Sequence, residues 1–456
     1  MKKTRSLPFH SLSAPGCVDT SQHLLTSENG SWLGLDYITK TRDGNILVAG
    51  FRATQSAPNY TSPYLVKYTP QGNILWSKSF DGPGIYPLNF ATAYKCFELN
   101  DGSLLLAGSV DVPELWNGRS ELALWKLDGS GNLQWAQTDS CSIWIQYSGD
   151  LFVKDCVQDA AGNIYLGGNQ YAFDAISTGA FVLKMDPAGN IQWDKSFASR
   201  AGVCFGIMFA GNGLNVIGSN ADMTVPDGGW NTTNYLWCIR VNLVTGDSLW
   251  AKAWYPDFGS DAGWNAITNV GSALLLDNGH IGVFGKTLSD LRPASPRIHA
   301  AIAEFDTDFN YLRGWMIGSD IQSNFSGMVV TEQTTGRISY SYMTELNSYD
   351  EDIAYGAIEN GQIIRERVFH ERNRSNGWTS NFLFFPGNED IVFQMYSDPV
   401  ANTSGQEMIR LHDSDTSSLC GGSDTTLSMV LPYAMKRLPN YSWDSIAATH
   451  SGEPIA

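Results

Sequence analysis

Apolar and polar residues alternate along most of the chain in runs of strand length, and each run is cut short by a DG, GN or PAGN turn. A period of two bounded by such dipeptides reads as β-strands joined by hairpins, because these residues tolerate the positive φ of a tight turn. The alternation also recurs in a fixed wording. Asp43-Gly-Asn-Ile-Leu-Val-Ala-Gly50 leads to Tyr64-Leu-Val-Lys-Tyr-Thr-Pro-Gln-Gly72-Asn-Ile-Leu-Trp76-Ser-Lys-Ser-Phe80. Asp101 to Gly108 leads to Leu124 to Trp135, and Ala161 to Gly168 leads to Phe181 to Trp193, in the same pattern. Looser copies run from Gly213 to Trp250, from Asn278 to Trp315, from Gly336 to Ile364 and from Gly387 to Asp413. The first-turn glycines of these units stand at 44, 102, 162, 213, 279, 336 and 387.

Each unit holds two successive hairpins and therefore predicts a four-stranded antiparallel sheet. Such a sheet cannot bury both faces alone, and radial stacking buries them while leaving only short edges. The expected fold is all-β, a single β-propeller of seven four-stranded blades over residues 30–432. Residues 1–29 form an amino-terminal segment and residues 433–456 a carboxy-terminal tail. The Trp residues at 76, 135, 193 and 250 recur in the fourth strand, where a wide ring packs between blades. The last unit lacks that Trp. Its fourth strand comes either from His23–Ser27 or, locally, from Thr425–Leu431. The first alternative places Cys17 and Cys420 at one end of a blade and makes them a candidate disulfide, worth about 5–6 kcal/mol in the entropy-only treatment. Cys96 and Cys156, each six residues before a turn glycine, are expected as small buried hydrophobes.

Charge narrows the partners. The chain carries 29 basic and 46 acidic residues, a net charge of −17, which opposes phosphate backbones and anionic lipid. Nucleic acid and membrane insertion are excluded on this reading, since no apolar run reaches the length of a membrane helix. Seven cysteines in no CxxC spacing exclude a zinc ribbon or a thioredoxin-type dithiol. Met1-Lys2-Lys3-Thr4-Arg5 is basic, but Pro8, His10 and three serines interrupt the apolar stretch that a secretory signal requires.

The DGN/S-φφφAG, YLVK and D-x-x-GN-φ-x-W-x-K-x-F wording resembles the propeller repeats of extracellular proteins common in Bacteroidota. It is distantly similar to WD40-like and quinoprotein-like propeller repeats. The resemblance covers about residues 30–420, is strongest in the first four units, and implies a fold far more than an activity. It implies an extracellular or cell-surface location, although neither a signal peptide nor a sorting tail is read here.

In an up-and-down blade the first and third turns share one face, and these are tight. The second turns and the blade-to-blade connections share the other face and are long and aromatic. Trp116 with Asn117, Trp144 with Tyr147, Trp230 with Asn231, Trp264, and Trp378 are the candidate ligand-binding residues, because rings beside amides on a rigid scaffold suit sugar or peptide recognition. No catalytic residue, metal ligand or cofactor is assigned. His370-Glu371 does not complete HExxH, no GxSxG elbow exists, and Gly285-Lys286-Thr287 falls in an expected strand. Asp413 to Asp424 has Ser418 where a calcium loop needs Gly. Asp350-Glu351-Asp352 is expected as a solvated acidic loop. Sialidase-like boxes are spaced differently, and the adjacent Cys pair common in quinoprotein dehydrogenases is missing. The function expected is a non-catalytic module that recognises a glycan or protein. The alternatives are a structural subunit or passenger of a larger phage-tail-like or secreted assembly and, behind it, a glycoside-active enzyme.

Overall fold

The computed structural model of the 456-residue chain describes residues 10–11, 21–25, 32–53, 61–70, 73–80, 91–111, 120–139, 151–171, 178–198, 202–222, 233–257, 267–289, 297–318, 325–334, 337–347, 350–359, 361–370, 382–385, 390–397, 405–412, 422–423, 429–432, 434–437 and 446–447. All regular structure among them is β. Strands consecutive in sequence pair antiparallel and assort into sheets. The first sheet is Trp32–Lys40, Ile46–Ala53, Thr61–Tyr68 and Ile74–Ser79, and the second Ala91–Glu98, Leu104–Asp111, Ser120–Leu127 and Leu133–Asp139. The third is Leu151–Gln158, Ile164–Tyr171, Thr178–Met185 and Ile191–Ala198, and the fourth Gly202–Ala210, Gly213–Asp222, Thr233–Val241 and Ser248–Asp257. The fifth is Ile267–Leu275, Ile281–Ser289, Arg297–Phe305 and Tyr311–Gly318, and the sixth Phe325–Thr334, Arg337–Asn347, Asp350–Glu359 and Gln362–His370. The last contains Phe382–Phe385, Asp390–Ser397 and Gly405–His412.

The chain divides into two compact units. One comprises Met1–Val153, Asn373–Cys420 and Thr449–Ala456, and holds the first, second and last sheets. The other comprises Lys154–Arg372 and Gly421–Ala448, and holds the third to sixth. Within a unit, the opening strand of one sheet packs against the first three strands of the sheet before it, chiefly the first and second, or at the third sheet the second and third. That opening strand often carries one extra residue: register is lost between Leu35 and Tyr37, between Ala93 and Lys95, and between Cys204 and Gly206. A bulge of this kind bends and twists a strand. The middle strands form the core, as Leu47, Val66, Leu105, Leu124, Leu166, Val182, Ile217 and Ile239 are fully buried.

The wording of the repeat is explained by its third turn. In Asp186-Pro-Ala-Gly189-Asn190, Asp186 Oδ1 accepts the N–H groups of Ala188 and Asn190, each at 2.9 Å, and Asn190 Nδ2 donates to Asp186 Oδ2 at 2.8 Å. Asp128 with Asn132 and Asp306 with Asn310 repeat this closure. The glycine has φ near +95°, and it is needed for a second reason as well. A Cβ on the equivalent Gly246 would lie 2.7 Å from Trp193 of the preceding sheet, and one on Gly131 would lie 3.0 Å from Trp76. Two residues beyond each Trp, a lysine reaches the residue after that glycine: Lys78 Nζ to Asn132 Oδ1 at 2.9 Å, and Lys195 Nζ to Asp247 Oδ1 at 3.0 Å. Thus W-x-K of one sheet grips G-N of the next. At the fifth sheet Phe309 replaces the glycine at φ 58°, stacks on Phe305 with centroids 4.2 Å apart, and its carbonyl accepts from Trp254 Nε1 at 3.0 Å.

Outer edges are closed by the chain termini. Ser21–Leu25 pairs with Gly405–His412, and His10–Ser11 adds outside it. The segment containing His23 is therefore the partner of the last sheet. Met429–Pro432, which overlaps the other candidate, pairs instead with Tyr311–Gly318 of the fifth sheet. It belongs to a carboxy-terminal run that steps backward through the second unit. Gly422–Ser423 adds to the sixth sheet, Met429–Pro432 to the fifth, Ala434–Arg437 to the fourth and Ile446–Ala447 to the third. Residues beyond 433 are thus not merely a tail. Added strands occupy ladder groups that would otherwise template aggregation.

Two substitutions measure the grip between sheets. Trp193→Ala is expected to cost about 3 kcal/mol in denaturant unfolding, from lost packing and cavity formation. Gly246→Ala combines αL strain with the Trp193 contact and is expected to cost about 2 kcal/mol or more. Unfolding midpoints within error of the parent would remove the grip from the account of stability.

Candidate functional site

The eight candidate ligand-binding residues lie outside the described residues. Their attachment points are nonetheless defined by strand order. Trp116 and Asn117 fall between Leu104–Asp111 and Ser120–Leu127, and Trp230 and Asn231 between Gly213–Asp222 and Thr233–Val241. Trp144 and Tyr147 precede Leu151–Gln158, Trp264 precedes Ile267–Leu275, and Trp378 precedes Phe382–Phe385. All are second-turn or sheet-to-sheet connections. In an antiparallel sheet these leave from the end opposite the tight D-x-x-G-N turns. Cys17 and Cys420 also lie outside the described residues.

Beneath that end, the second unit carries a polar cluster that sequence reading missed. Asn169, fully buried in the third sheet, accepts the N–H of Cys204 at 2.5 Å on Oδ1 and donates Nδ2 to the Cys204 carbonyl at 3.3 Å. A side-chain amide there replaces a missing backbone partner. Asp155 Oδ2 accepts the N–H of Ile207 at 3.0 Å, just past the bulge in the fourth sheet, and Oδ1 accepts the N–H of Cys156 at 2.8 Å. Amides on the free edge of the fourth sheet are satisfied by side chains of the neighbouring sheet. Lys154, half-buried beside Asp155, completes the group. Burial holds its ammonium pKa below the usual lysine value, against a smaller opposing effect of the Cys204 thiol. The available sequence signal was positional: Lys154 stands as far before its turn glycine as Asp36 and Tyr94, the bulged residues of the first two sheets.

At the tight-turn end, charges are paired. In the third strand, Lys67 meets Asp43 at 2.7 Å, and Lys126 meets Asp101 at 3.7 Å. The fifth sheet inverts the arrangement. Glu304, 3% exposed, receives Arg313 Nε at 2.6 Å and Asn278 Nδ2 at 3.1 Å, with His280 Nδ1 at 2.5 Å. Burial alone would raise the Glu304 pKa, but the hydrogen bonds from Arg313, His280 and Asn278 hold it below the usual glutamate range. Since this cluster occupies the repeat position of Lys67–Asp43, it serves the scaffold.

Other candidate motifs resolve simply. Gly285, Lys286 and Thr287 are in the strand Ile281–Ser289, as expected. Asp350, Glu351 and Asp352 open the strand Asp350–Glu359, not a solvated loop, because their backbones pair with Thr344–Asn347. Asp413 to Asp424 lies mostly outside the described residues. Among the described residues no His, Cys, Asp and Glu group could hold a metal ion, and no helix is long and apolar enough to cross a membrane. Cys96 is buried and its thiol is pushed up to about 12 by that burial. Cys156 is only partly buried, so the two are not equivalent.

No family model matches the chain, and no curated protein matches it in sequence. Solved structures do match in fold. Drosophila Semaphorin 2a aligns with a TM-score of 0.51 at 8% identity over 86% of this chain and 75% of its own. The Penicillium chrysogenum alpha-L-arabinanase complexed with arabinobiose aligns at 0.42, with 10% identity over 70% of this chain and 92% of its own. The NanB sialidase from Streptococcus pneumoniae aligns at 0.42, with 10% identity over 90% and 71%. The fold is that of a β-propeller, and identities this low carry no function.

Two measurements follow from the buried polar groups. Asn169→Ala leaves the Cys204 amide and carbonyl unpaired and is expected to cost about 2 kcal/mol or more in thermal unfolding. An unchanged Tm would show that the clamp carries no stability. Glu304 has a depressed folded pKa, so its contribution is present above the unfolded value and lost as pH falls through the folded one. Glu304→Gln is therefore expected to flatten the loss of stability between about pH 5 and pH 3. Parallel pH–stability curves for parent and variant would exclude this contribution.

Proposed function

We propose that the chain is a non-catalytic recognition module. It is a seven-bladed propeller of the extracellular repeat type that its sequence resembles, with Ser21–Leu25 completing the last blade. It takes a glycan or a protein on the sheet ends that bear the long connections. The observation that supports this reading is the contrast between the two ends. One is sealed by five-residue turns whose Asp, Asn and Lys side chains are committed to each other. The other bears the segments that contain Trp116, Trp144, Trp230, Trp264 and Trp378. Connections on a rigid scaffold are where recognition residues concentrate, and indole rings beside amides fit sugar faces and hydroxyls or extended peptide.

A glycan and cell-surface polysaccharide array run on the full chain, beside the triple variant Trp116→Ala, Trp230→Ala, Trp264→Ala, tests the reading. Specific binding that falls by about tenfold or more in a variant of parental stability is the expected result. Equal binding by both proteins, or turnover of a chromogenic glycoside by the parent, would overturn it.

A further inference from the structure

A second bulge recurs in the fourth strand, just past the third turn, and sets one side chain outward in each sheet. In the fourth sheet Val241 pairs with Ser248 and Arg240 with Trp250, which leaves Leu249 between them. Leu312 is the extra residue of the fifth sheet and Ile364 that of the sixth. The first three sheets place Leu75, Gln134 and Gln192 there. All six are exposed. A bulge re-aims a side chain in this way, so the position faces solvent by construction, and the two Gln residues show what the scaffold accepts at it. Leu249, Leu312 and Ile364 are nevertheless aliphatic, and 48%, 45% and 44% exposed.

These three stand on consecutive sheets of one compact unit, and the joints between sheets fix their order. Lys252 Nζ reaches Asn310 Oδ1 at 2.9 Å, Trp254 Nε1 donates to the Phe309 carbonyl at 3.0 Å, and a Cβ on Gly361 would collide with Trp315. The added carboxy-terminal strands pair from Trp254, Trp315 and Val368 onward, so they begin past the row. Packed sheets lie about 10 Å apart, which sets its pitch. Seven residues of α-helix rise about 10.5 Å. An extended strand returns a side chain to the same face only at even offsets, about 6.6 or 13 Å, and misses that pitch.

Charge and size narrow the occupant. The ion pairs beside the row turn their carboxylates outward, since Asp247 and Asp308 are mostly exposed while their partners Lys195 and Arg240 are mostly buried. Against them stands one exposed cation, Arg313, engaged by Glu304. With a net charge of −17, this opposes a second copy of the chain and favours a basic partner. Three anchors also fall well short of the roughly 20–30 residues a side that a stable dimer uses.

We propose that Leu249, Leu312 and Ile364 seat an amphipathic α-helix of a partner protein, with aliphatic residues at i, i+7 and i+14 and Lys or Arg between them. An exposed apolar row with a polar surround marks an interaction surface, and spaced aliphatic anchors are how such helices dock. The row lies on the fourth strands, apart from the long connections, so it adds a partner to the recognition reading and does not rest on it.

The full chain is titrated by fluorescence anisotropy with a labelled, stapled helix of about 18 residues that carries Leu at i, i+7 and i+14 among Lys and Ala. Saturable binding is expected. The triple variant Leu249→Gln, Leu312→Gln, Ile364→Gln borrows the residue of the second and third sheets, so it is expected to keep the parental Tm and to lose affinity by about tenfold or more. If it melts early, Leu312→Gln alone, at the centre of the row, is read for the same direction of loss. A helix respaced to i, i+5 and i+10, and one with Glu for Lys, are each expected to bind about tenfold more weakly. Trp116→Ala, Trp230→Ala, Trp264→Ala is expected to leave helix binding intact, which separates this surface from the long-connection end. No saturable binding by the parent, or equal binding by a Gln variant of parental Tm, would overturn the proposal. Equal binding of the respaced helix would remove the helical register, and equal binding of the Glu helix the basic partner. Capture of phosphatidylcholine vesicles that the Gln variant loses would put lipid in the helix's place.

Discussion

The repeated sheets are held in sequence by a contact between an indole and a glycine that has no side chain. Trp76 lies over Gly131 and Trp193 over Gly246, each from one sheet to the next. The lysine two positions beyond then reaches the Asn or Asp after that glycine. The glycine is required twice, once for its positive φ and once because a Cβ would occupy the ring's place. A motif spread across a hairpin turn and its following strand is thus half of a joint whose other half lies in the neighbouring unit. This makes each sheet dependent on its predecessor, as in other repeat folds. Phe309 shows what happens when the glycine is lost: the turn keeps its αL conformation and a stacked aromatic fills the gap.

Given that joint, charge placement becomes consistent. The Asp that opens the third turn of the second, third and fifth sheets accepts a backbone amide and its partner Asn side chain. Its pKa falls accordingly, as at Asp186, where the Asn190 side chain is the main cause and outweighs a slight burial effect. The inversion in the fifth sheet follows the same rule. Placing Glu304 on the third strand moves His280 and Arg313 to the surrounding positions, so the buried charge remains paired. A buried ion left single would be costly, and the repeat tolerates either sign only because its partner changes with it.

The sheets and turns were legible in the sequence because their determinants are local. Asp43-Gly-Asn and Asp186-Pro-Ala-Gly189-Asn190 fix a hairpin by φ and hydrogen bonding within a few residues, and the period of two marks the strands on either side. The role of the recurrent Trp in packing was legible too, since its spacing matched the repeat. The carboxy-terminal strands were not. Gly422–Ser423 and Ile446–Ala447 are two residues each, too short for any period, and they form only because a finished edge is offered to them. Lys154, Asp155 and Asn169 were hidden for a related reason. Their roles depend on contact across two sheets, where the amides of Cys204 and Ile207 on the free edge of the fourth sheet meet side chains of the third, and no spacing within one strand reveals that.

The bulge of the opening strand connects scaffold and site. An uninterrupted opening strand would place alternate residues on the two faces of its sheet and leave the amides of its free edge unpaired. One extra residue breaks that alternation, and the neighbouring sheet must answer with side chains in place of backbone. Asn169 and Asp155 give that answer with hydrogen bonds to Cys204 and Ile207. At the corresponding position the third sheet carries the half-buried Lys154. The first two sheets place Asp36 and Tyr94 at the corresponding position. Repetition builds the platform, and the departure from repetition at this register position is what distinguishes one sector of it chemically from the rest.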